Sequence, residues 1–186
     1  MIHDRDFPDH LHRRDVRDRL VTPRPAAVRP VAADVAVAPA RFGDLLPAAR
    51  MQRRAFRPGL AYGLTTLAAL WLLPHVRFLV ARQGGRVVGC AIGDRDGADT
   101  RVINLAVDPD ARRRGVGTAL LRGLEAALTR GNLLLMVEAE NLGAQALYRG
   151  EGYLPVGDAV DYYGRGRHGI WMQKQRVPGA PTKIRV

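Results

Sequence analysis

Residues 103–121, INLAVDPDARRRGVGTALL, constrain the fold of this chain more than any other stretch. A strand-like run ends at Val107. A short loop then carries Arg112, Arg113 and Arg114 with Gly115 and Gly117, and an apolar helical run begins. Such a junction is an anion trap, because the first turn of a helix presents N–H groups without intrahelical acceptors at the positive end of the macrodipole. Gly115 and Gly117 let the backbone approach a ligand without a Cβ clash, and successive N–H groups can form a nest around phosphate oxygens. Two common phosphate loops fit poorly. The Walker pattern requires a lysine after the glycines, and none follows. The dinucleotide pattern G-x-G-x-x-G has Leu120 where its third glycine belongs, and it opens a parallel strand–helix–strand unit, whereas this strand follows a hairpin meander.

Periodicity places the remaining elements. Val35 and Val37 alternate with small residues, as in a first strand. Leu45, Leu46, Ala49 and Phe56 are spaced as on a helix within Gly43–Phe56, and Leu60, Leu64, Leu67 and Trp71 predict a second helix ended by Pro74. Arg77–Arg82 and Arg86–Ile92 flank Gln83-Gly84-Gly85 as a hairpin, and a turn at Asp94–Asp99 leads to a strand at Arg101–Val107. Gly115–Arg130 reads as a helix with Leu120, Leu121, Leu124 and Leu128 on one face and Gly131 as its C-terminal cap. Leu133–Val137 is a continuous apolar run, as expected of a central strand covered on both sides. Asn141 can N-cap a helix at Leu142–Arg149, and Tyr153–Val156 and His168–Gln173 read as the last strands. The order β-α-α-β-β-β-α-β-α-β-β implies an α/β domain with a mixed sheet, a β-meander and two helical crossovers.

Composition sets the boundaries of this reading. The chain has 186 residues, which suits one domain with tails. Residues 1–32 are expected to be a basic arm, with recurrent prolines and few apolar residues to offset ordering entropy. Residues 33–175 are expected to be the domain and 176–186 a tail. The single cysteine, Cys90, excludes an intramolecular disulfide and reads as a small buried hydrophobe. His10 and His12 have no third ligand at suitable spacing, so no metal is expected. The charged N-terminus lacks a secretory apolar core. The longest apolar stretch, Ala61–Ala81, is interrupted by Pro74, His75 and Arg77, so no membrane span is expected and the compartment read is the cytoplasm. A net charge of +11, almost wholly arginine, would draw coenzyme phosphates, acidic peptides or nucleic acid; a codon bias toward arginine accounts for it equally well. The charge is scattered and not interleaved with aromatics, unlike a nucleic-acid groove.

Three patches carry a family resemblance. Arg112-Arg113-Arg114-Gly115-Val116-Gly117 matches Q/R-x-x-G-x-G/A, with NLAVDP (Asn104–Pro109) leading into it. ENLGAQALYRGEGY, residues 140–153, matches N-x-x-A-x-x-L-Y-x-x-x-G-F/Y through Asn141, Ala144, Leu147, Tyr148, Gly152 and Tyr153. DYYGRGRHGIWM, residues 161–172, matches a Y-Y-x-x-G-x-x-x-x-x-M hairpin. Together they resemble the GNAT superfamily of N-acetyltransferases, and most closely its ribosomal-protein alanine and protein N-terminal acetyltransferase group. The likeness covers roughly Val35–Lys174.

The resemblance implies a GNAT fold and acetyl-CoA as cosubstrate, lying in a splayed gap between the strands at Arg101–Val107 and Leu133–Val137. It implies that backbone groups of Leu105, Ala106 and Val107 line the acetyl and pantetheine arm. Arg112, Arg113, Arg114, Gly115, Val116, Gly117 and Thr118 would form the pyrophosphate loop, and Asn141 would bond the coenzyme or serve only as a helix cap. Tyr148 would be the general acid that protonates the departing sulfur; a packed aromatic is the alternative. The glutamate that relatives carry twelve residues before that tyrosine is replaced by Met136. Glu138, two residues on and facing the same side of the strand, is the candidate base, with Asn104 positioning a water as the alternative. Tyr162 and Tyr163 would shape the acceptor pocket, with Asn104 beside them; the helix Leu60–Leu73 bearing Trp71 would lie nearby or be plain core. Arg165, Arg167 and His168 stand where relatives are often acidic, which implies an acceptor with acidic residues near its amine or merely a basic hairpin. The acceptor implied is a protein N-terminus, including that of a ribosomal protein. A small amine, an acetyl-CoA-binding module without catalysis, and a basic ribosome- or RNA-associated binder are the other readings.

Overall fold

The computed structural model describes residues 34–176. The expected arm, His10 and His12, and the expected tail beyond Arg176 therefore lie outside the described residues. The chain runs through β1 (Val35–Pro39), α1 (Leu45–Ala55), α2 (Leu64–Leu72), β2 (Arg77–Gln83), β3 (Arg86–Asp96), β4 (Asp99–Val107), α3 (Val116–Ala127), β5 (Leu133–Glu138), α4 (Leu142–Gly150), β6 (Leu154–Ala159) and β7 (Gly169–Lys174). The strands form one mixed sheet in the order β1-β2-β3-β4-β5-β7-β6. Every pairing is antiparallel except β4 beside β5. Among the described residues no helix is long and apolar enough to cross a membrane.

The sheet is sandwiched because its helices carry apolar stripes of the right period. Leu120, Leu121 and Leu124 of α3 and Tyr148 of α4 pack against Leu79, Ala91, Leu135 and Met172 on one face. Leu45, Ala48 and Ala49 of α1 and Leu67 of α2 cover Phe78, Val80, Cys90 and Ile92 on the other. Leu121 is fully buried, so Leu121→Ala would cost ~2–5 kcal/mol through lost transfer energy and the cavity left behind. Helix α3 lies so close to β3 that a Cβ on Gly89 would sit 2.8 Å from Leu120 Cδ1.

Several boundaries differ from the periodicity reading, each for a tertiary reason. Helix α2 begins at Leu64 and excludes Leu60, because Gly59 has φ +87° and the Tyr62 N–H is taken by the Gln52 side chain at 2.9 Å. In α1 the buried stripe runs through Leu45, Ala48, Ala49 and Gln52, and Leu46 is exposed. Helix α3 ends at Ala127, short of Arg130, where Leu128 turns extended and Arg176 donates to the Glu125 and Leu128 carbonyls. Gly131 is accordingly not that helix's cap. It adopts φ +65° in a turn where a Cβ would collide with the Ala98 carbonyl oxygen at 1.9 Å. The β3–β4 hairpin extends to Asp96 and Asp99, so its turn is confined to Gly97 and Ala98.

The feature that positions the site is a failure of pairing in the middle of the sheet. Parallel pairing of β4 with β5 runs only from Thr100↔Leu133 to Val102↔Leu135. Beyond that point the strands separate, while β5 continues to pair with β7. On its other side β4 pairs Val102 with Gly93 and Asn104 with Ile92, leaving Ile103 as a bulge residue. A bulge sharpens strand bend and twist, and this one sits where the separation begins.

Candidate active site

The separated ends of β4 and β5 open onto a cavity of about 1190 Å³. Its lining includes residues 101–107 of β4, 136–138 of β5, the first turn of α3, one side of α4, and parts of the α1–α2 and β6–β7 connections. The expected site residues Asn104, Leu105, Ala106, Val107, Arg112, Arg113, Gly115, Val116, Gly117, Thr118, Glu138, Asn141, Tyr148, Tyr162 and Tyr163 all line it. Arg114 does not; its side chain is exposed.

At one end the loop before α3 is braced from α1. Asp108, 2% exposed, accepts from Asp110 N at 3.0 Å and from Arg54 Nη1 at 2.9 Å. Arg54 Nη2 also reaches Asp110 at 2.8 Å, and this guanidinium holds the Asp110 carboxyl below its ordinary range. Arg112 donates to the Val107 carbonyl at 3.2 Å and the Ala55 carbonyl at 2.8 Å. Its guanidinium thus ties the loop to the end of α1, a bracing role that the pattern match did not foresee. Arg113 (φ 63°) and Gly115 (φ 79°) are both left-handed, and α3 begins with Ala119 N donating to the Gly115 carbonyl. The amides of Val116, Gly117 and Thr118 therefore have no intrahelical acceptor. A Cβ on Gly117 would lie 3.2 Å from Leu147 Cδ2, narrowing the passage between α3 and α4. These groups fit a diphosphate.

Along the gap, strand alternation decides which main-chain groups are available. Asp108 N donates to the Val88 carbonyl of β3. Alternation then turns the N–H and C=O of Leu105 and Val107 toward the gap, and those of Ala106 back to β3. Ala106 therefore lines the cavity without offering its amide to it, which leaves Leu105 and Val107 as the residues whose N–H can donate there.

Tyr148 lies on α4 with its ring 5.8 Å from that of Tyr153. It is 7% exposed, and burial alone raises its phenol above the ordinary range. No hydrogen bond joins its hydroxyl to another described residue. Asn141 caps α4 by accepting from Ala144 N at 3.1 Å, which leaves its amide nitrogen available to a ligand.

The far end is made of side chains. Tyr163 donates its hydroxyl to the Met136 carbonyl at 3.2 Å, and Tyr162 meets the rings of Tyr163 at 5.0 Å and Trp171 at 6.4 Å. Burial raises the Tyr163 phenol, with the neighbouring Tyr162 adding to it. Burial and Tyr162 likewise raise Tyr62, which Arg101 partly offsets. Glu138 accepts from Arg167 Nε at 2.8 Å, and His168 Nδ1 accepts from Asp161 N at 3.1 Å. Arg167 is thus tied to Glu138 through Nε, while its Nη2 is buried without a partner among the described residues, and His168 is half exposed. Trp71 does not line the cavity: its Nε1 donates to the Ala40 carbonyl at 2.9 Å, and the loop residues Leu60 and Tyr62 occupy the place expected for the helix.

Sequence reasoning missed Gln52, Arg54, Tyr62 and Trp171. Gln52 left a signal, a polar residue four after Ala48 and three after Ala49 on the buried stripe of α1. Tyr62 and Trp171 left none, since only folding brings them together. Among the described residues no cluster of three or more His, Cys, Asp or Glu could hold a metal ion. Cys90, fully buried, has its thiol pushed up to about 12 by desolvation, so it is no nucleophile at neutral pH.

Comparison with known proteins agrees with this geometry. An uncharacterised N-acetyltransferase of Methanocaldococcus jannaschii is 31% identical over 137 residues, covering 72% of this chain and 86% of that protein. The N-alpha-acetyltransferase RimI of Mycobacterium tuberculosis is 37% identical over 94 residues, covering 48% of this chain and 60% of the relative. The crystal structure of the ribosomal-protein-S18-alanine N-acetyltransferase from Escherichia coli superposes with a TM-score of 0.69 at 26% identity, over 82% of this chain and 99% of that one. Residues 46–153 match the Acetyltransferase (GNAT) family, and this match, in keeping with the split sheet, establishes that this chain belongs to the GNAT acetyltransferases, whose acyl donor is acetyl-CoA.

Proposed function

We propose that this chain is a cytoplasmic N-acetyltransferase that moves the acetyl group of acetyl-CoA to a protein N-terminal amine, that of a ribosomal protein among the candidates. The observation that carries the reading is the continuity of one cavity from the α3 amides, past Tyr148, to the tyrosines at the far end. One relative is named an N-alpha-acetyltransferase and one structural neighbour a ribosomal-protein-S18-alanine N-acetyltransferase, and Tyr162 and Tyr163 form an aromatic wall suited to a peptide backbone.

Acetyl-CoA supplies an activated acyl carbon and a thiolate leaving group. The amides of Gly115, Val116, Gly117 and Thr118 hold the diphosphate, with Arg113 adding charge and Asn141 a further hydrogen bond. A gap-facing N–H of Leu105 or Val107 donates to the carbonyl oxygen where negative charge develops. Tyr148 protonates the departing sulfur: its phenol carries a proton at neutral pH, and although burial makes that proton harder to release, the thiolate charge that develops beside it draws the transfer. Glu138 receives the amine's proton through its second oxygen, directly or through water, while Arg167 holds the first. Asn104 orients the amine or that water.

Two measurements test the reading. Coenzyme A should raise the melting temperature, since a ligand that binds only the folded state stabilises it; no shift would favour a basic RNA binder. Thiol release with acetyl-CoA and a panel of free-N-terminus peptides and small amines should favour the peptides. Turnover confined to small amines would move the acceptor class, and none at all would leave a binding module.

A further inference from the structure

Gln52 is fully buried in α1, yet it carries a polar amide into an otherwise apolar stripe. Its capacity is fully used. Nε2 donates to Asn104 Oδ1 at 3.1 Å and to Cys90 Sγ at 3.4 Å. Oε1 accepts from Tyr62 N at 2.9 Å and, more weakly, from Asn104 Nδ2 at 3.5 Å. Two donors and two lone pairs are the whole inventory of a glutamine amide.

The partners matter more than the count. Asn104 directly follows the bulge residue Ile103, where β4 leaves β5, and precedes Leu105, whose amide faces the gap. Tyr62 belongs to the α1–α2 connection, and its ring lines the far end of the cavity near Tyr162. One side chain therefore joins the strand along the acyl-donor path to the loop along the acceptor path. That loop has few other anchors. Gly59 is left-handed, and of the backbone bonds outside helices only Leu60 N to the Arg57 carbonyl, at 3.2 Å, holds its middle.

We propose that Gln52 is a positioning residue for acetyl transfer: through the Tyr62 amide and the Asn104 side chain it sets the distance between the acceptor loop and the donor strand. This rests on the acetyltransferase reading above. A buried glutamine serving only the core would affect both ends of the cavity alike. A positioning glutamine affects the acceptor and leaves the loop before α3 intact, because Arg54 and Arg112 tie that loop to the end of α1 through bonds that do not involve the Gln52 side chain.

The test uses the full chain with a free-N-terminus peptide that the wild type acetylates. Gln52→Met keeps the length and removes both hydrogen-bonding roles. The expected result is a rise of about tenfold or more in peptide KM with a lower kcat, as for loss of one or two buried hydrogen bonds, while the coenzyme A Kd stays within about threefold of wild type. Equal loss at both sites, or unchanged kinetics, overturns the proposal. Gln52→Glu supplies the rescue arm. Protonated, its carboxyl can donate to Asn104 and accept from Tyr62, so activity relative to wild type at the same pH should recover as pH falls from 8 to 6; a flat ratio counts against it. Should neither variant fold, amide hydrogen exchange on the wild type decides. The Tyr62 N–H should exchange far more slowly than those of Ala61 and Gly63, and equal exchange overturns the tie. A wild type that acetylates no amine sinks the acetyltransferase reading, whereas the exchange result bears on Gln52 alone.

Discussion

At the α3 end of the cavity the groups that face a ligand are main-chain amides, whereas at the opposite end they are side chains drawn from the α1–α2 loop, β5 and the β6–β7 connection. The first end depends on local backbone shape: left-handed Arg113 and Gly115, then a helix start. The second depends on rings and ion pairs meeting across long stretches of sequence, such as Tyr163 on Met136 and Arg167 on Glu138. A backbone cradle tolerates side-chain change and suits an invariant ligand such as a diphosphate. A side-chain pocket can be altered residue by residue, which suits an acceptor that differs among relatives. Tyr148 stands between the two ends, and α4 carries it with Asn141.

The sharpest way to break this division is at the point where the ends meet. Tyr148→Phe should lower kcat by about 10²-fold or more, the usual contribution of a positioned acid, with coenzyme A affinity measured by calorimetry almost unchanged. Retained turnover would remove Tyr148 from the chemistry. Gly115→Val tests the donor end alone. A β-branched residue is strained at φ 79°, at ~1–2 kcal/mol for the left-handed region, so coenzyme affinity should fall about tenfold or more. Peptide KM at saturating acetyl-CoA should hold; if it moves in step, the two ends are not separable.

Alkaline titration reads burial in the core and at the far end of the cavity. Burial raises Tyr148, Tyr153 and Tyr163 above the ordinary phenol range and Cys90 to about 12. The folded state therefore keeps protons that the unfolded chain has already released. This stability is complete below the unfolded values, near ~9 for the thiol and ~10 for the phenols, and is lost as pH rises from there toward the folded values. Each group contributes up to ~1.4 kcal/mol per pH unit in that window. Melting temperature should be level to about pH 9 and fall above it; a level curve to pH 11 would contradict the burial. The smallest effect is expected at the acceptor end. Glu138→Gln keeps a hydrogen-bond partner for Arg167 and should lower kcat/KM only several-fold, with loss of the acid limb of its pH profile. An unaltered profile would assign the proton to water or to an amine that arrives neutral.

Legibility in the sequence follows the same division. The strand–loop–helix at 103–121 was readable because its determinants lie within a few residues: glycines where the chain must turn and leucines at helical spacing. Asn141 as a cap was readable for the same reason. The end of α3 was not, since Arg176, distant in sequence, occupies its last carbonyls, and neither was the start of α2, which Gln52 delays by holding the Tyr62 amide. Trp71 packs against the core beside α1, the plain-core alternative for its stripe, and only the family resemblance had brought it toward the acceptor. The Arg167–Glu138 pair was not legible because Glu138 lies far back in the chain.

By itself, then, the order of residues determined the element sequence, the mixed sheet and the glycine-bearing turn into α3, because propensity, periodicity and glycine conformation act over one or two turns of chain. Only the tertiary structure decided at which residue β4 and β5 part, that Ala106 offers no amide to the gap, and that Tyr62 and Trp171 join Tyr162 and Tyr163 at the far end. Those outcomes depend on strand register, a bulge and side chains meeting across dozens of residues, and no local pattern encodes such distances.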